Sequence, residues 1–307
     1  MKGPLFYAKI LLFGEYGIIK DSKGLAIPYN SFQGALKISS DLNEKEKLSN
    51  QKLFNFYTYL KSDTNGLDLR LDEFKKDTER GLNFDSSIPQ GYGVGSSGAL
   101  VAAIYDKYAN NKITVLENLT RDKLLELKTI FSQMESFFHG KSSGLDPLNS
   151  YLSLPILINS KNNIEATGIP SQKNGKGAVF LLDSEMVGET QPMVNIFMNK
   201  MKNEGFRKMI DQDFARYTDA CIDDFLQANP KSLFKNVKNL SKVVLKHFKP
   251  MIPNSFHQLW QEGIETNDYY LKLCGSGGGG YILGFAQDFE KAKKTLKNHK
   301  LELVYRF

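Results

Sequence analysis

Residues 91–100 read GYGVGSSGAL and hold four glycines and two adjacent serines directly before an apolar run. Glycine allows the chain to turn where side chains would clash, and it lets a ligand approach the peptide N–H groups. If a helix begins at Ser96 or Ser97, its unpaired N–H groups and the positive end of its dipole face the same ligand. The stretch therefore predicts a binding site for an anion, most often a phosphate.

Composition sets broad limits on the class of protein. The chain has 307 residues, 41% of them hydrophobic, and a net charge of +6, which suits one large or two medium domains and anionic ligands. Its two cysteines, Cys221 and Cys274, lie far apart and build no disulfide framework, which favours a reducing cytoplasm.

The N-terminal segment lacks the pattern of a signal peptide. No apolar run approaches the roughly 20 residues needed to cross a bilayer, so we expect a cytoplasmic protein without a membrane partner.

The first half of the chain shows two strand patterns and two helix patterns. Residues 7–17 and 26–39 predict strands with a turn between them. Residues 96–109 predict a helix that opens with the glycine-rich stretch. A stronger helix is predicted over residues 120–140, where apolar residues recur at helical spacing and Gly140 is the expected stop.

The second half indicates an irregular mixture of strands and helices. A buried strand is predicted at Ala178–Leu182, a strand, glycine loop and strand over residues 268–285, and a helix and final strand over residues 289–307. The irregular order favours an α+β chain over a regular βαβ array. We place the domain boundary in the polar loop before Ala178, which gives domains 1–175 and 176–307.

Lysines recur every three or four residues between Lys231 and Lys249, opposite an apolar face. This spacing predicts a surface helix with a solvated basic side. Binding of nucleic acid or of a membrane is the alternative, but no aromatic or arginine residues interleave with the lysines in the way such surfaces require.

Two common phosphate motifs fit the glycine-rich stretch poorly. Residues 93–98 match G-x-G-x-x-G, with Glu117 about 20 residues beyond, as in a dinucleotide-binding fold. That motif should follow a buried apolar strand, whereas the polar sequence NFDSSIPQGY precedes it here. A Walker loop is excluded because no Gly-Lys-Ser/Thr follows the glycines.

A better match is P-x-x-x-G-x-G-S-S-x-A, from Pro89 to Ala99, which resembles the phosphate loop of the GHMP kinase superfamily. Residues 8–19, AKILLFGEYGII, resemble its N-terminal motif K-x-x-L-x-G-E-H. Residues 272–283, KLCGSGGGGYIL, resemble its C-terminal motif K-L-x-G-x-G-G-G-G. Residues 135–147, ESFFHGKSSGLDP, resemble the mevalonate kinase segment E-x-x-x-x-G-x-x-S-G-x-D. Four motifs in the family's order make the resemblance to the superfamily strong, and the first motif together with the S-G-x-D aspartate makes the chain resemble mevalonate kinase in particular.

The resemblance implies a two-domain α+β fold, with a ribosomal protein S5-like N-terminal domain and a ferredoxin-like C-terminal domain. It implies transfer of the ATP γ-phosphoryl group to a hydroxyl, most closely from mevalonate to 5-phosphomevalonate, with Mg²⁺ as cofactor. The nucleotide phosphates would be bound by Pro89, Gly91, Gly93, Val94, Gly95, Ser96, Ser97 and Gly98.

The same resemblance assigns roles to residues outside the phosphate loop. Ser97 and Glu135 would bind Mg²⁺. Asp146 would face the acceptor hydroxyl as base or charge stabiliser, and Lys9 would pair with it and offset charge on the transferring group. The substrate-binding residues implied are Glu15, Tyr16, Thr190, Gly275, Ser276 and Gly277.

Two departures from the family pattern concern the acceptor pocket. Tyr16 stands where the family has His, and DPLNSYLSL, residues 146–154, replaces D-N-A-V-S-T-W-G-G.

A different acceptor (phosphomevalonate, a sugar or homoserine) stays open. So do two other classes: a dinucleotide-binding oxidoreductase, and an idle homologue that only binds nucleotide. The predicted partners are ATP and a small-molecule alcohol; a homodimer stays open.

Overall fold

A computed structural model describes residues 3–20, 22–62, 66–114, 119–160 and 162–307. The chain divides into two compact units, each assembled from separate segments. Unit 1 comprises Met1–Lys9, Pro28–Pro89 and Gly95–Leu154, and unit 2 comprises Ile10–Ile27, Gln90–Val94 and Pro155–Phe307. The chain passes between the units within strands and within the glycine-rich loop. The division into domains 1–175 and 176–307 stays a prediction.

Two strands, β1 (Phe6–Phe13) and β2 (Gly24–Ile38), contribute to both units. The other elements of unit 1 are α1 (Glu44–Ser62), α2 (Leu71–Glu79), β3 (Leu82–Ser86), α3 (Ser96–Tyr108), α4 (Arg121–His139) and α5 (Leu145–Leu152). The second part of β2 pairs antiparallel with β3, with Gly34 opposite Ser86 and Ile38 opposite Leu82.

The core of unit 1 is built around α3. Small side chains such as Ala99 and Ala102 are fully buried on it, which allows neighbouring helices to approach its backbone closely. The stripe predicted on α4 is buried at Leu124, Leu127, Phe131 and Met134 and half-buried at Phe138. Gly140 ends α4 as predicted, with φ 72° and its N–H bonded to the Ser136 carbonyl at 2.8 Å.

Unit 2 contains the remaining elements. They are β4 (Ile156–Ser160), β5 (Asn163–Ala166), β6 (Ala178–Asp183), α6 (Thr190–Lys200), α7 (Glu204–Met209), a π-helical turn (Ile210–Phe214), α8 (Ala215–Leu226), α9 (Pro230–His247), α10 (His257–Thr266), β7 (Tyr270–Leu273), β8 (Tyr281–Ala286), α11 (Phe289–Thr295) and β9 (Leu301–Arg306). The mixture of antiparallel strands and irregularly placed helices confirms the predicted α+β class.

Two sheets organise the strands. One has the order β1-β2-β4-β5, with β3 also on β2, and Gly24 of β2 lies opposite Ile158 of β4. The other has the order β7-β8-β6-β9, and its strand pairs are antiparallel, with Ala178 opposite Ala286. The predicted strand, glycine loop and strand over residues 268–285 correspond to β7, a loop and β8.

The predicted basic helix is α9. Its apolar residues Leu233, Val237, Leu240 and Val244 are buried, and the lysines occupy the outer side. Trp260 of α10 is fully buried and donates its indole N–H to Ser241 Oγ at 2.8 Å, which ties the inner faces of the two helices. The surface helix with a solvated basic side is therefore confirmed. Within the described ranges, no helix is long and apolar enough to cross a membrane.

Gly263 of α10 offers a test of this packing. In a helix interior alanine is usually favoured over glycine by about 1 kcal/mol. Here a Cβ on residue 263 would lie 2.6 Å from the Tyr269 carbonyl oxygen and 2.4 Å from a Tyr269 ring carbon. Backbone cannot move aside easily, so Gly263→Ala should lower the free energy of unfolding in urea by about 1–3 kcal/mol.

The matched control for that substitution is Gly168→Ala, because a Cβ there meets nothing within 4 Å. The control should leave the free energy of unfolding nearly unchanged. A Gly263→Ala variant as stable as the unsubstituted chain would show that α10 does not pack on residue 269 in this way.

Candidate active site

The predicted catalytic pair lies together in unit 1. Lys9 projects from β1 with its side chain only 4% exposed, and its Nζ lies 2.9 Å from Asp146 Oδ1. Asp146 occupies the first turn of α5, which begins after Gly144 in the left-handed conformation, φ 73°. A carboxylate is favoured at that end of a helix because it faces the positive end of the dipole. The 37% exposed Asp146 side chain is thus held by a buried cation while still open to a ligand.

Two glycines of the predicted phosphate loop allow this pair to approach the start of α3. Gly95 precedes the helix with φ 79°, and a Cβ on it would lie 2.9 Å from Lys9 Cγ. A Cβ on Gly98 would lie 2.7 Å from the carbonyl carbon of Asp146. Both positions therefore require glycine for packing, in addition to any contact with phosphate.

Glu135 of α4 carries a buried carboxylate beside the start of α3. It is 3% exposed, and its Oε1 accepts a hydrogen bond from Ser97 Oγ at 3.0 Å. Its Oε2 accepts one from the hydroxyl of Ser142. The structure therefore brings the two predicted metal ligands, Ser97 and Glu135, together. Ser142 was not predicted, because it stands at a position that the motif leaves variable.

The charge of Glu135 is costly at this place. The pKa of Glu135 is raised to about 8, mainly by burial and next by the negative charge of Asp146, although the hydroxyls of Ser142 and Ser97 and the charge of Lys9 oppose the rise. A buried carboxylate without sufficient positive charge is penalised by the loss of hydration. A bound cation would relieve that penalty.

The donor set fits a magnesium ion that is shared with a ligand. Mg²⁺ prefers oxygen ligands and is usually held by one or two carboxylates, substrate phosphates and several waters. Ser97 and Glu135 supply a hydroxyl and a carboxylate within 3.0 Å of each other. In the described part of the chain, no three His, Cys, Asp or Glu side chains gather into a metal site of their own. Phosphate and water oxygens would have to complete the coordination.

The first half of the phosphate loop belongs to unit 2, where it lies against the second glycine loop. A Cβ on Gly93 would lie 2.4 Å from the Cys274 carbonyl oxygen, and one on Gly91 would lie 2.4 Å from Val187 Cγ1. The N–H of Gly188 donates to the Gly91 carbonyl at 2.9 Å. Two glycine-rich stretches that are far apart in sequence thus share one packed region of unit 2.

The second glycine loop is fixed at its far end by backbone bonds. The N–H of Gly278 donates to the Met251 carbonyl at 2.7 Å, and that of Gly280 donates to the Met186 carbonyl at 2.5 Å. For the residues with described placement, the N–H groups of Ser276 and Gly277 donate no hydrogen bond. Substrate binding by Gly275, Ser276 and Gly277 stays a prediction.

Glu15 and Tyr16, the predicted acceptor contacts, are both buried in unit 2. Glu15 is 5% exposed and lies 2.5 Å from the Nζ of Lys272. Tyr16 donates its hydroxyl to the Ser276 carbonyl at 2.7 Å and stacks on Phe197 with ring centroids 4.6 Å apart. The acceptor contacts of both residues stay predictions. Lys272 was not predicted as a site residue, although it is the first residue of the C-terminal motif.

The other predicted site residues differ in what they expose. Val94 is fully buried, so only its backbone could face a ligand. Pro89 and Ser96 are half-buried, and Ser96 is the first residue of α3. Thr190 is exposed and is the first residue of α6. Contacts of these residues with a nucleotide or acceptor stay predictions.

The dinucleotide-binding alternative does not fit the strand pairing. The strand before the glycine-rich loop is β3, which pairs antiparallel with β2, whereas a dinucleotide fold has a parallel βαβ unit at this point. Glu117, the acidic residue of that interpretation, lies outside the described residues.

A family model covers two of the four motifs, the phosphate loop and the segment from Glu135 to Asp146. Residues 57–153 match the family model of the GHMP kinases N terminal domain. A search among curated proteins found no match to the sequence.

Several solved structures share the fold over nearly the whole chain. L. major mevalonate kinase in complex with R-mevalonate has a TM-score of 0.62 at 16% identity, over 96% of this chain and 91% of that one. Lactococcus lactis galactokinase complexed with galactose has a TM-score of 0.63 at 12% identity, over 98% and 92%. Streptococcus pneumoniae phosphomevalonate kinase in complex with phosphomevalonate and AMPPNP has a TM-score of 0.60 at 14% identity, over 98% and 99%. The predicted two-domain fold is confirmed.

The buried carboxylate predicts a pH-dependent stability. Between the ordinary pKa of 4.5 and the raised value of about 8 for Glu135, the folded chain keeps a proton that the unfolded chain has released. The stabilisation from this group is complete below pH 4.5 and is lost as the pH rises through the folded pKa. The free energy of unfolding then falls by at most about 1.4 kcal/mol per pH unit for one proton.

Glu135→Gln should remove this dependence. The free energy of unfolding would be measured by urea titration at about pH 5.5, 6.5 and 7.5 for both chains. The value for Glu135→Gln minus the value for the unsubstituted chain should increase steadily as the pH rises. Glu126→Gln, at an exposed position of the same helix, should show no such trend. Parallel pH curves for the unsubstituted chain and Glu135→Gln would show that the carboxyl is not perturbed.

Proposed function

We infer that this chain, which belongs to the GHMP kinase superfamily by its N-terminal domain and its fold, transfers the γ-phosphoryl group of ATP to the hydroxyl of a small molecule. The observation that carries the inference is the cluster at the start of α3 in unit 1. There the Lys9–Asp146 pair and the Ser97–Glu135 pair meet the glycines that precede and open the helix. A base, a cation and a hydroxyl–carboxylate pair are the parts that phosphoryl transfer requires.

The nucleotide phosphates are assigned to the loop and the start of α3. The first N–H groups of a helix have no intrahelical partner, and the dipole favours an anion at that end. Gly95 and Ser96 begin the α3 turn with no side chain or a short one, so a phosphate approaches their backbone. Ser97 and Glu135 would hold Mg²⁺, which supplies positive charge to the β- and γ-phosphates when bound.

Asp146 and Lys9 are assigned to the transfer step. The acceptor hydroxyl oxygen forms a bond to the γ-phosphorus while the bond from that phosphorus to the leaving oxygen of ADP breaks. The hydroxyl proton passes to the Asp146 carboxylate. The Lys9 ammonium, 2.9 Å from Asp146 Oδ1, keeps the carboxylate in place and offsets negative charge on the transferring group.

Mevalonate is the proposed acceptor, and 5-phosphomevalonate, an isoprenoid precursor, the proposed product. The proposal is supported by the segment from Glu135 to Asp146, whose spacing resembles that of mevalonate kinases. Phosphomevalonate kinase and galactokinase share the fold to a similar degree, so the acceptor has to be established by turnover. The proposed location is the cytoplasm.

An acceptor screen tests the function directly. Purified protein with MgATP should release ADP in the presence of mevalonate, and much more slowly with phosphomevalonate, galactose or homoserine. ADP release would be followed with a coupled assay, and the product would be identified by mass. Binding of MgATP without turnover of any of the four acceptors would contradict the kinase assignment and favour a nucleotide-binding homologue.

Removal of the proposed base tests the mechanism. Asp146→Asn keeps the shape but removes the basicity, so kcat should fall by about 10²–10⁴-fold, while the Kd for ATP stays nearly the same. Lys9→Met should also lower kcat. The double variant should lose less than the product of the two single losses, because the residues act as a unit.

Asp122→Asn is the matched control, because Asp122 is an exposed aspartate in the first turn of another helix, α4. It should leave kcat unchanged. A general base contributes at least about 100-fold to kcat. If Asp146→Asn retains more than about a tenth of kcat, the loss is too small for a general base and the catalytic assignment is wrong.

A further inference from the structure

Glu15 and Lys272 form a buried ion pair in unit 2. Their side chains are 5% and 3% exposed, and Lys272 Nζ lies 2.5 Å from Glu15 Oε1. Lys272 Nζ also donates to the Leu273 carbonyl at 2.8 Å. Two charges are buried at a net gain only when their geometry is good and further hydrogen bonds satisfy them. The ammonium therefore links the end of β1 to the backbone where β7 ends.

Tyr16, the next residue after Glu15, bonds the same loop at a second point. Its hydroxyl donates to the Ser276 carbonyl at 2.7 Å, and its ring is held by Phe197 and Phe248, with centroids 4.6 and 5.8 Å away. Tyr16 has φ 60°, a strained conformation for a residue other than glycine. Two consecutive residues thus fix the chain on both sides of Cys274 and Gly275.

Cys274 and Gly275 contact Gly93 of the first glycine loop. A Cβ on Gly93 would lie 2.4 Å from the Cys274 carbonyl oxygen, and one on Gly275 would lie 3.1 Å from Gly93 Cα. Gly93 and Gly275 have φ values of 77° and 70°. Such glycine backbones lose much conformational freedom on ordering, so their position depends on anchors outside them.

We propose that Lys272 is a positioning residue of the nucleotide site. Together with Glu15 and Tyr16 it forms a clamp on residues 273–276, and this clamp fixes Gly93 of the phosphate loop through the Cys274 carbonyl. Glu15 then acts through Lys272 and the loop and does not itself bind the acceptor. The kinetic consequence rests on the proposed kinase function, whereas the fixing of the loop does not.

Three variants separate the parts of the clamp. Tyr16→Phe removes one hydroxyl and keeps the ring stacking. Lys272→Met leaves Glu15 buried without its cation, which threatens folding, so the double variant Glu15→Gln/Lys272→Met removes both charges together. Lys242→Met is the control, because Lys242 is an exposed lysine of α9.

Hydrogen exchange of the backbone amides tests the clamp without any activity. The amides of Gly278 and Gly280 are hydrogen-bonded in the loop, so they report how well it is fixed. Their exchange should be faster by about 10-fold in Tyr16→Phe and in the double variant, as expected for the loss of one buried hydrogen bond. Amides of β6 and β8 should be unchanged, and Lys242→Met should match the unsubstituted chain. Unchanged loop exchange in both variants would overturn the clamp.

Steady-state kinetics test whether the clamp supports the binding of ATP or the binding of the acceptor. In Tyr16→Phe and the double variant, the KM for ATP should rise by about fivefold or more while the acceptor KM stays within about twofold, since binding energy lost on one substrate leaves the other unaffected. A rise in the acceptor KM alone would overturn the positioning role and assign both residues to the acceptor. Faster loop exchange in a chain that phosphorylates none of the four acceptors would refute the kinase function and leave the clamp standing.

Discussion

The close approach of the start of α3 to β1 and α5 is the constraint on which the candidate active site depends. It exists because residues 95 and 98 are glycine, with no room for a Cβ beside Lys9 or beside the backbone at Asp146. The same approach places Ser97 against Glu135 of α4. A single helix end therefore carries a glycine-rich turn, a buried carboxylate and an ion pair, and the loss of either glycine would separate these parts.

Buried charge has a different role in each unit. In unit 1 the carboxylate of Glu135 is held by two hydroxyls and lies near Asp146, which leaves a surplus of negative charge and a raised pKa. Such a site is suited to receive a cation that arrives with a ligand. In unit 2 the charge of Glu15 is already balanced by Lys272, which suits a fixed structural link. The contrast explains why similar residue types are assigned to metal binding in one unit and to positioning in the other.

The sequence predicted the parts of the site whose spacing is fixed by motifs. It paired Lys9 with Asp146 and Ser97 with Glu135, although each pair is far apart in the chain, and it located α3 and α4 from their apolar patterns. It could not identify Ser142 or Lys272 as partners, because a serine or lysine alone carries no sign of which distant carboxylate it meets. The discontinuous units were also beyond a linear analysis, since β1, β2 and the glycine-rich loop each pass from one unit to the other.

In the proposed reaction, the start of α3, with Ser97 and Glu135, receives the metal ion that accompanies the nucleotide. Crystals grown with Mn²⁺ and AMPPNP would locate the ion by its anomalous scattering. We expect one peak about 2.1 Å from both Glu135 Oε1 and Ser97 Oγ, close to the distance for Mg²⁺, with the nucleotide phosphates over Gly95 and Ser96. Bound AMPPNP whose metal ion touches neither side chain would contradict it.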